Sequence, residues 1–487
     1  MAPYFGLKGG WLTFWVTVAC ATDMTLFGYD QGVFGGVVVT QDFLDTLNLN
    51  GKTTLISTVT AIYDIGCFFG AILAFMIGER LGRKKCVLLG TTIMSIGAII
   101  QTASFGVPEM IVGRSIECSG RYETDHDHSV IGGLGNGINT ATAPVWQGET
   151  SKASWRGKLI VIEMILNIAG FSLSNWVTYG FSFMGGPVSW RFPIAFQFIF
   201  IFILFGTTPW LPESPRWLIA RGKIDEAEQI LADLESLSVD DPYVVTQSKD
   251  IQWAVNYERE NAVRWRDLLR GRTGDQGGTC TIRRLVLGMG TQAMQQLSGI
   301  NVTSYYLPYV LINSVGLDNN LARLLAACNS VSYLLFSTIG IPNVERWGRR
   351  KMMMYAAAGQ SFCYLFITVC LRYSEPGLPN RKEWASASIA FFFLYYVFFG
   401  IGWQGVPWTA DRSLEDLDRL FIENHNIFIF RDKDAISSKR PVQYIEHEKE
   451  EIRRHSSIKP EDVSGAIEAH RKEVLASQGH DEKIDIV

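Results

Sequence analysis

Apolar runs close to the length of a bilayer crossing recur along this chain, separated by short polar breaks. They fall at Phe14–Val38, Thr53–Met76, Cys86–Ser104, Leu159–Phe181, Phe192–Leu211, Leu321–Pro342, Met352–Leu371 and Ala385–Trp408. A further run from Val107 to Trp146 is interrupted, and one from Leu285 to Asn313 is studded with side-chain amides. About twenty apolar residues in a helix span the hydrocarbon, and a helix satisfies its own backbone there. The pattern therefore predicts an all-α polytopic membrane protein with about ten crossings.

The polar breaks divide the chain. Residues 1–211 form a first transmembrane bundle and 212–284 a loop. A second bundle follows at 285–408, and 409–487 form a charged tail. Within the loop, Ile224–Leu234 alternates charged and apolar residues at helical spacing, which predicts short amphipathic helices on the membrane face. The tail, around Tyr444–Arg454, is charged on all sides and reads as a solvated helix in a mostly disordered segment. Two short basic loops, Gly78–Lys85 and Glu345–Lys351, put their side of the membrane in the cytoplasm. With an even number of crossings, both termini lie there too.

Composition refines this picture. The chain has 487 residues, 47% of them hydrophobic, yet its mean hydropathy is only +0.11 because charge gathers in the loop and the tail. A net charge of −4 gives no footprint for nucleic acid. The eight cysteines have no paired spacing and lie mostly in apolar runs, so no disulfide framework is implied. Residues 1–10 lack a signal-peptide cleavage pattern, and the sequon at Asn301 lies inside a crossing. No cofactor motif is legible. Gly132–Gly137 superficially resembles a nucleotide loop, but small residues within a crossing permit close helix packing. Asp125-His126-Asp127-His128 has metal-ligand chemistry without a surrounding ligand framework, so no metal site is assigned. No nucleophile, base and oxyanion donor set marks an enzyme, and no segment specifies an oligomeric state.

The candidate chemistry is polar groups set in hydrocarbon. Gln295, Gln296 and Asn301, in the stretch Q-Q-L-S-G-I-N, have no water to bond and need partners across an interface or in a cavity. Their donors and acceptors suit sugar hydroxyls, and interhelical bonding is the competing reading. Trp403, Gln404 and Trp408 pair indole faces with an amide, as a sugar's C–H faces and hydroxyls require. Asn167, Tyr305 and Tyr306 extend this set. Asp30, in the first crossing, must pair with a cation or carry a proton. Arg114 is its available partner, and the pair is either a proton-linked switch or a static contact between helices.

The two basic loops share the pattern E-R-x-G-R-[RK]-K (Glu79, Arg80, Gly82 and Arg83; Glu345, Arg346, Gly348 and Arg349). Each follows the second crossing of a group. Pro212–Leu218 after the sixth crossing and Thr409–Glu415 after Trp408 form a second such pair. Repeated signals in register indicate a duplicated architecture. With G-Y-D-Q-G-V-F-G-G at Gly28–Gly36, T-A-T-A-P-V-W-Q-G-E-T-S-K-A-S-W-R-G-K at Thr140–Lys158, P-E-S-P-R at Pro212–Arg216 and G-V-P-W at Gly405–Trp408, the chain resembles the fungal sugar porters of the major facilitator superfamily along nearly its whole length.

The resemblance implies two pseudo-symmetric helical bundles and alternating access around a midplane site. Gln295, Gln296, Asn301 and Trp408, with Asn167 and Tyr306, would then bind a hexose or pentose, and Asp30 and Arg114 would form a proton-coupling pair. Glu79, Arg80, Gly82, Arg83, Glu149, Arg156, Glu213, Arg216, Glu345, Arg346, Gly348 and Arg349 would form the gating motifs. The implied partners are a small sugar, a proton and the lipid bilayer, and the implied location is the plasma membrane. Two departures stand out. Ser115–Ser129 inserts several charges into the fourth crossing and must loop out of the hydrocarbon. After Trp408, the chain passes directly to the tail pattern where the family has two more crossings, so the second bundle is expected to be incomplete. A sugar receptor without transport and an inactive product of the same family are the alternatives.

Overall fold

The computed structural model describes residues 6–115, 132–260, 281–347, 349–374 and 380–403. The described residues are helical, with no strand among them. In the first half, α1 (Gly10–Val37), the short α2 (Gln41–Thr46), α3 (Thr53–Leu81) and α4 (Arg83–Thr102) precede α5 (Val107–Ser115) and α6 (Gly132–Thr150). Then come α7 (Ala153–Ser182), α8 (Val188–Ala195) and α9 (Phe198–Thr207). Three helices, α10 (Pro215–Ala220), α11 (Ile224–Glu235) and α12 (Pro242–Glu260), fill the loop between the halves. The second half holds α13 (Thr281–Leu297), α14 (Ile300–Val310), α15 (Asn319–Trp347), α16 (Arg349–Tyr373) and α17 (Arg381–Gly402). The charged insertion and everything after Trp403, including Gln404 and Trp408, lie outside the described residues.

Small residues explain how the first half closes. Gly28, Gly32 and Gly36 line one face of α1, and a Cβ at any of them would overlap Asn167, Ser174 or Thr178 on α7. The spacing of four keeps the three in one row, so two helices running in parallel can approach backbone to backbone. Gly133 and Gly137 meet α3 at Tyr63 and Cys67, and Gly135 meets Gly90 of α4. The glycine run at 132–137 is thus a packing surface of α6 against two neighbours. Large apolar side chains such as Phe68, Phe75, Met76, Phe202 and Leu365 stay exposed on the outer faces, as helices bathed in lipid require.

Seven of the described helical segments are long and apolar enough to cross a membrane: Thr53–Leu81, Arg83–Thr102, Trp155–Ser182, Val188–Trp210, Asn319–Ile339, Lys351–Tyr373 and Arg381–Gly402. The remaining expected crossings are α1, the pair α5 and α6, and the pair α13 and α14. These segments carry carboxylates, an arginine or amides, and the pair α13 and α14 is broken.

The loop helices pack beneath the start of α1. Leu12 joins Leu218, Ile219, Ala227 and Ile230 in one buried cluster, the Gly9 N–H donates to the Asp233 carbonyl at 2.7 Å, and Lys8 pairs with Asp233 at 3.0 Å. The amphipathic helices expected at 224–234 are therefore a fixed layer at the basic-loop end of the first half.

Candidate functional site: a seam of buried polar residues

The run Leu285–Asn313 is not one helix. It breaks at Ser298-Gly299, where Gly299 adopts φ of +92° and a Cβ would overlap the Tyr364 hydroxyl. The carbonyls freed by the break are capped from the second half: Tyr364 donates to the Gly299 carbonyl at 2.7 Å and Tyr395 to the Ser298 carbonyl at 3.1 Å. Broken helices persist at membrane depth where neighbours satisfy the backbone in this way. Gln295 and Gln296 therefore sit on α13, while Asn301 and Tyr306 sit on α14. Gln295 donates weakly to the Trp403 carbonyl at 3.5 Å. Gln296 is exposed, and Asn301 and Tyr306 are half-buried.

Asn167, on α7, donates to the Met24 carbonyl at 3.3 Å and so binds α7 to α1. Below the break, α14 packs on α1, with Gly35 against the Tyr305 backbone. The seam is closed along this stretch, too tight for a water molecule, with Asn175 on one side and Ser304, Asn329 and Tyr396 on the other. The amides of Q-Q-L-S-G-I-N do not line it. Its polar wall comes from residues that the sequence reading did not single out.

Asp30 and Arg114 are both buried. The guanidinium lies over the Phe34 ring, 3.2 Å from its centroid, with Tyr63 at 5.1 Å. None of its three nitrogens has a hydrogen-bond partner. Asp30 instead neighbours the Tyr63 hydroxyl and the Asn136 amide, which also bond each other, and it interacts with Arg114 through space. The expected pair is thus two ionisable groups in one buried pocket, with no hydrogen bond between them. Asp64 also acts on Arg114, and it accepts a hydrogen bond from Tyr305 of the second half at 2.9 Å. Asp64 was legible by the criterion that picked out Asp30, a carboxylate in an apolar run, and so were Asp23 and Glu163.

At the basic-loop end, Arg83 holds Glu149 through two bonds, Nε to Oε2 and Nη2 to Oε1, each 2.9 Å. Glu213 accepts the backbone N–H groups of Arg83 at 2.8 Å and Lys84 at 3.2 Å, and so caps the start of α4. Gly82, at φ +90°, lies where a Cβ would crowd the Glu213 carboxylate. Burial pushes Glu213 above the usual carboxylate range, opposed by the Ser214, Lys84 and Arg83 N–H groups and by the Arg83 charge. Glu79 contributes its carbonyl, which accepts from Trp217 at 2.9 Å and Arg221 at 2.6 Å, while its side chain and that of Arg80 are exposed. Arg156 and Arg216 are half-buried and each engaged. The side chains of Glu345, Arg346 and Arg349, and Gly348 itself, lie outside the described residues.

Two helical halves that meet along a seam of buried carboxylates, hydroxyls and amides define a membrane transporter of the major facilitator class. The chain belongs to the family described as Sugar (and other) transporter, which it matches over residues 15–411. It is 51% identical to the MFS-type transporter oryC of Aspergillus oryzae, with 93% of each chain covered. That alignment runs over 520 positions, more than the 487 residues here, so it contains gaps on this chain's side. The sugar transporter STL1 of Saccharomyces cerevisiae is 32% identical, with 85% of this chain and 70% of the relative covered. Among solved structures, the proton:xylose symporter XylE bound to 6-bromo-6-deoxy-D-glucose has the same fold. Its TM-score is 0.65 at 22% identity, over 84% of this chain and 85% of that one.

Proposed function

We propose that this chain carries a monosaccharide across the plasma membrane by alternating access, in symport with a proton, with both termini in the cytoplasm. The observation that carries the reading is the broken helix α13–α14, packed on the helix that bears Asp30. Its amides at Gln296 and Asn301 make no hydrogen bond within the described protein. In this reading Gln295, Gln296, Asn301, Asn167, Tyr306 and Trp408 bind the sugar. Asp30 takes up the proton, and its charge state governs the pull on Arg114. The Arg83–Glu149–Glu213 cluster holds the basic-loop end of the first half in one arrangement while the seam opens and closes.

The same reading holds that Ser115–Ser129 loops out of the hydrocarbon and that the gaps in the alignment with the Aspergillus relative include crossings of the second half. The test is uptake of labelled hexose or pentose by a cell without its own transporters. Uptake that collapses with an uncoupler, and that Asn301→Ala reduces by about tenfold or more, is expected from the loss of a bond to substrate. Uptake indifferent to both the proton gradient and Asn301 would overturn the reading. Uptake seen only after Ser115–Ser129 is removed and the missing crossings are supplied would confine the activity to the parent architecture.

A further inference from the structure

Asp30 has Arg114 near it, whereas the other carboxylate of α1 has no cation acting on it among the described residues. Asp23 lies seven residues nearer the basic-loop end, about 10 Å along the helix, and is 1% exposed. One of its oxygens accepts from the Asn139 amide at 2.8 Å, and the other, Oδ2, has no partner. The parallel packing of α1 on α7 brings a second carboxyl alongside. Asn167 bonds Met24 and Gly170 meets the Thr25 backbone, so Glu163, one turn earlier on α7, falls beside Cys20 and Asp23. Glu163 is fully buried, and neither of its oxygens has a hydrogen-bond partner.

The neighbours supply more acceptors and no charge. From α6, Gln147 is fully buried, donates to Thr17 at 3.0 Å and leaves its own Oε1 unpartnered. From α4, Thr91 accepts from Asn139 at 3.1 Å. Among the described residues, Cys20 is the other titratable group beside the pair, and no cation acts on either carboxyl. On α15, which also packs on α7, Arg323 is committed to Asn319 and Thr40 at the opposite end, and the side chains of Glu345 and Arg346 lie outside the described residues. Two carboxylates buried together, each with an unpartnered oxygen, need positive charge between them.

We propose that Asp23 and Glu163 form a second proton-binding site, separate from Asp30 and on the basic-loop side of it. The pair holds a proton at neutral pH, and one carboxyl donates to an unpartnered oxygen of the other. This goes beyond the proposed coupling at Asp30 and does not require that the cargo be a sugar. Infrared difference spectroscopy of the full chain in lipid, read in the carboxylic-acid carbonyl band, tests it without any transport. The band is expected at pH 7, to shift in Asp23→Asn and in Glu163→Gln, to be lost when both are replaced, and to persist in Asp30→Asn, so a failure here is distinct from a failure of the Asp30 reading. Should either variant misfold, carbodiimide labelling of the wild-type chain gives a second measurement, because the reagent attacks protonated carboxyls in apolar surroundings. Modification of Glu163 or Asp23 at pH 7 that disappears at high pH supports the site. A wild-type chain with neither the band nor the labelling overturns the proposal, as does a pair that responds to sodium concentration and not to pH.

Discussion

Gly299 is held by two constraints at once, a left-handed backbone and a Tyr364 hydroxyl where a side chain would begin. Gly299→Ala should therefore cost about 1–3 kcal/mol and lower the melting temperature in detergent. Gly185, at φ +64° with open space around it, should lose less on the same substitution because only the backbone term applies. The glycine stands in the sequence for anyone to read, but Tyr364 is 65 residues away, and only the fold brings them together. The buried charges follow the same logic. That Asp30, Asp64, Asp23 and Glu163 are costly in hydrocarbon is legible from composition, at about 2.5–3.5 kcal/mol for a central Asp. Which of them faces Arg114 and which face each other depends on how α1 packs against α3, α5 and α7; the row of Gly28, Gly32 and Gly36 can be read in the sequence, but the helix it packs on cannot.

At the scale of elements, the α1–α7 contact is the most sensitive to added volume. Gly32→Leu places a side chain into Ser174 and Phe171. It should cost more than the roughly 1–3 kcal/mol of an ordinary overpacked site, since backbone approach itself is lost. Limited proteolysis in membranes, compared with Gly180→Leu at an open position of α7, would show the difference. The start of α4 makes a subtler case. Because burial holds Glu213 above its ordinary range, its contribution to stability is fully present below the unfolded-state value and declines as pH rises through the folded one. Glu213→Gln, which keeps an acceptor oxygen for the Arg83 and Lys84 N–H groups, should match wild type below the usual glutamate range and flatten the pH dependence of unfolding above it. Glu213→Ala removes the cap and should cost about 0.5–2 kcal/mol across the whole range. The crossings themselves were plain in the hydrophobic pattern. The break at Ser298-Gly299 was not, because amides and a glycine inside an apolar run fit a continuous helix as well as a divided one.

For the molecule as a whole, the proposed function places most of its residues on the polar crossings. The segments α1, α5–α6 and α13–α14 are less apolar than the other crossings, although α3, α7 and α15 also carry charges and amides such as Asp64, Glu163, Asn167 and Arg323. The halves are joined at mid-depth by Tyr305 donating to Asp64 at 2.9 Å and by Ser330 donating to Ser172 at 3.1 Å. Toward the end opposite the basic loops, Asn319 donates to the Val39 carbonyl at 3.2 Å and Arg323 to Thr40 at 3.1 Å. Alternating access requires this seam to part, so each bond biases the equilibrium between closed and open forms by its own net worth.

Removing one such bond gives a quantitative expectation. Tyr305→Phe deletes a hydrogen bond to a carboxylate but keeps the ring, and at about 1–1.5 kcal/mol it should raise the population with the seam open by roughly five- to thirteenfold. A cysteine at Ser330, buried in the closed seam, reports that population when the exposed native Cys328 has been replaced. Its labelling by an impermeant thiol reagent should accelerate by the same factor in the Tyr305→Phe background. A Val39→Cys, Asn319→Cys pair, bridged by an oxidant in membranes, should suppress labelling at position 330 and restore it on reduction. Labelling that ignores both the missing hydroxyl and the bridge would mean that the seam between α1, α7, α14 and α15 is not the surface on which the two halves move.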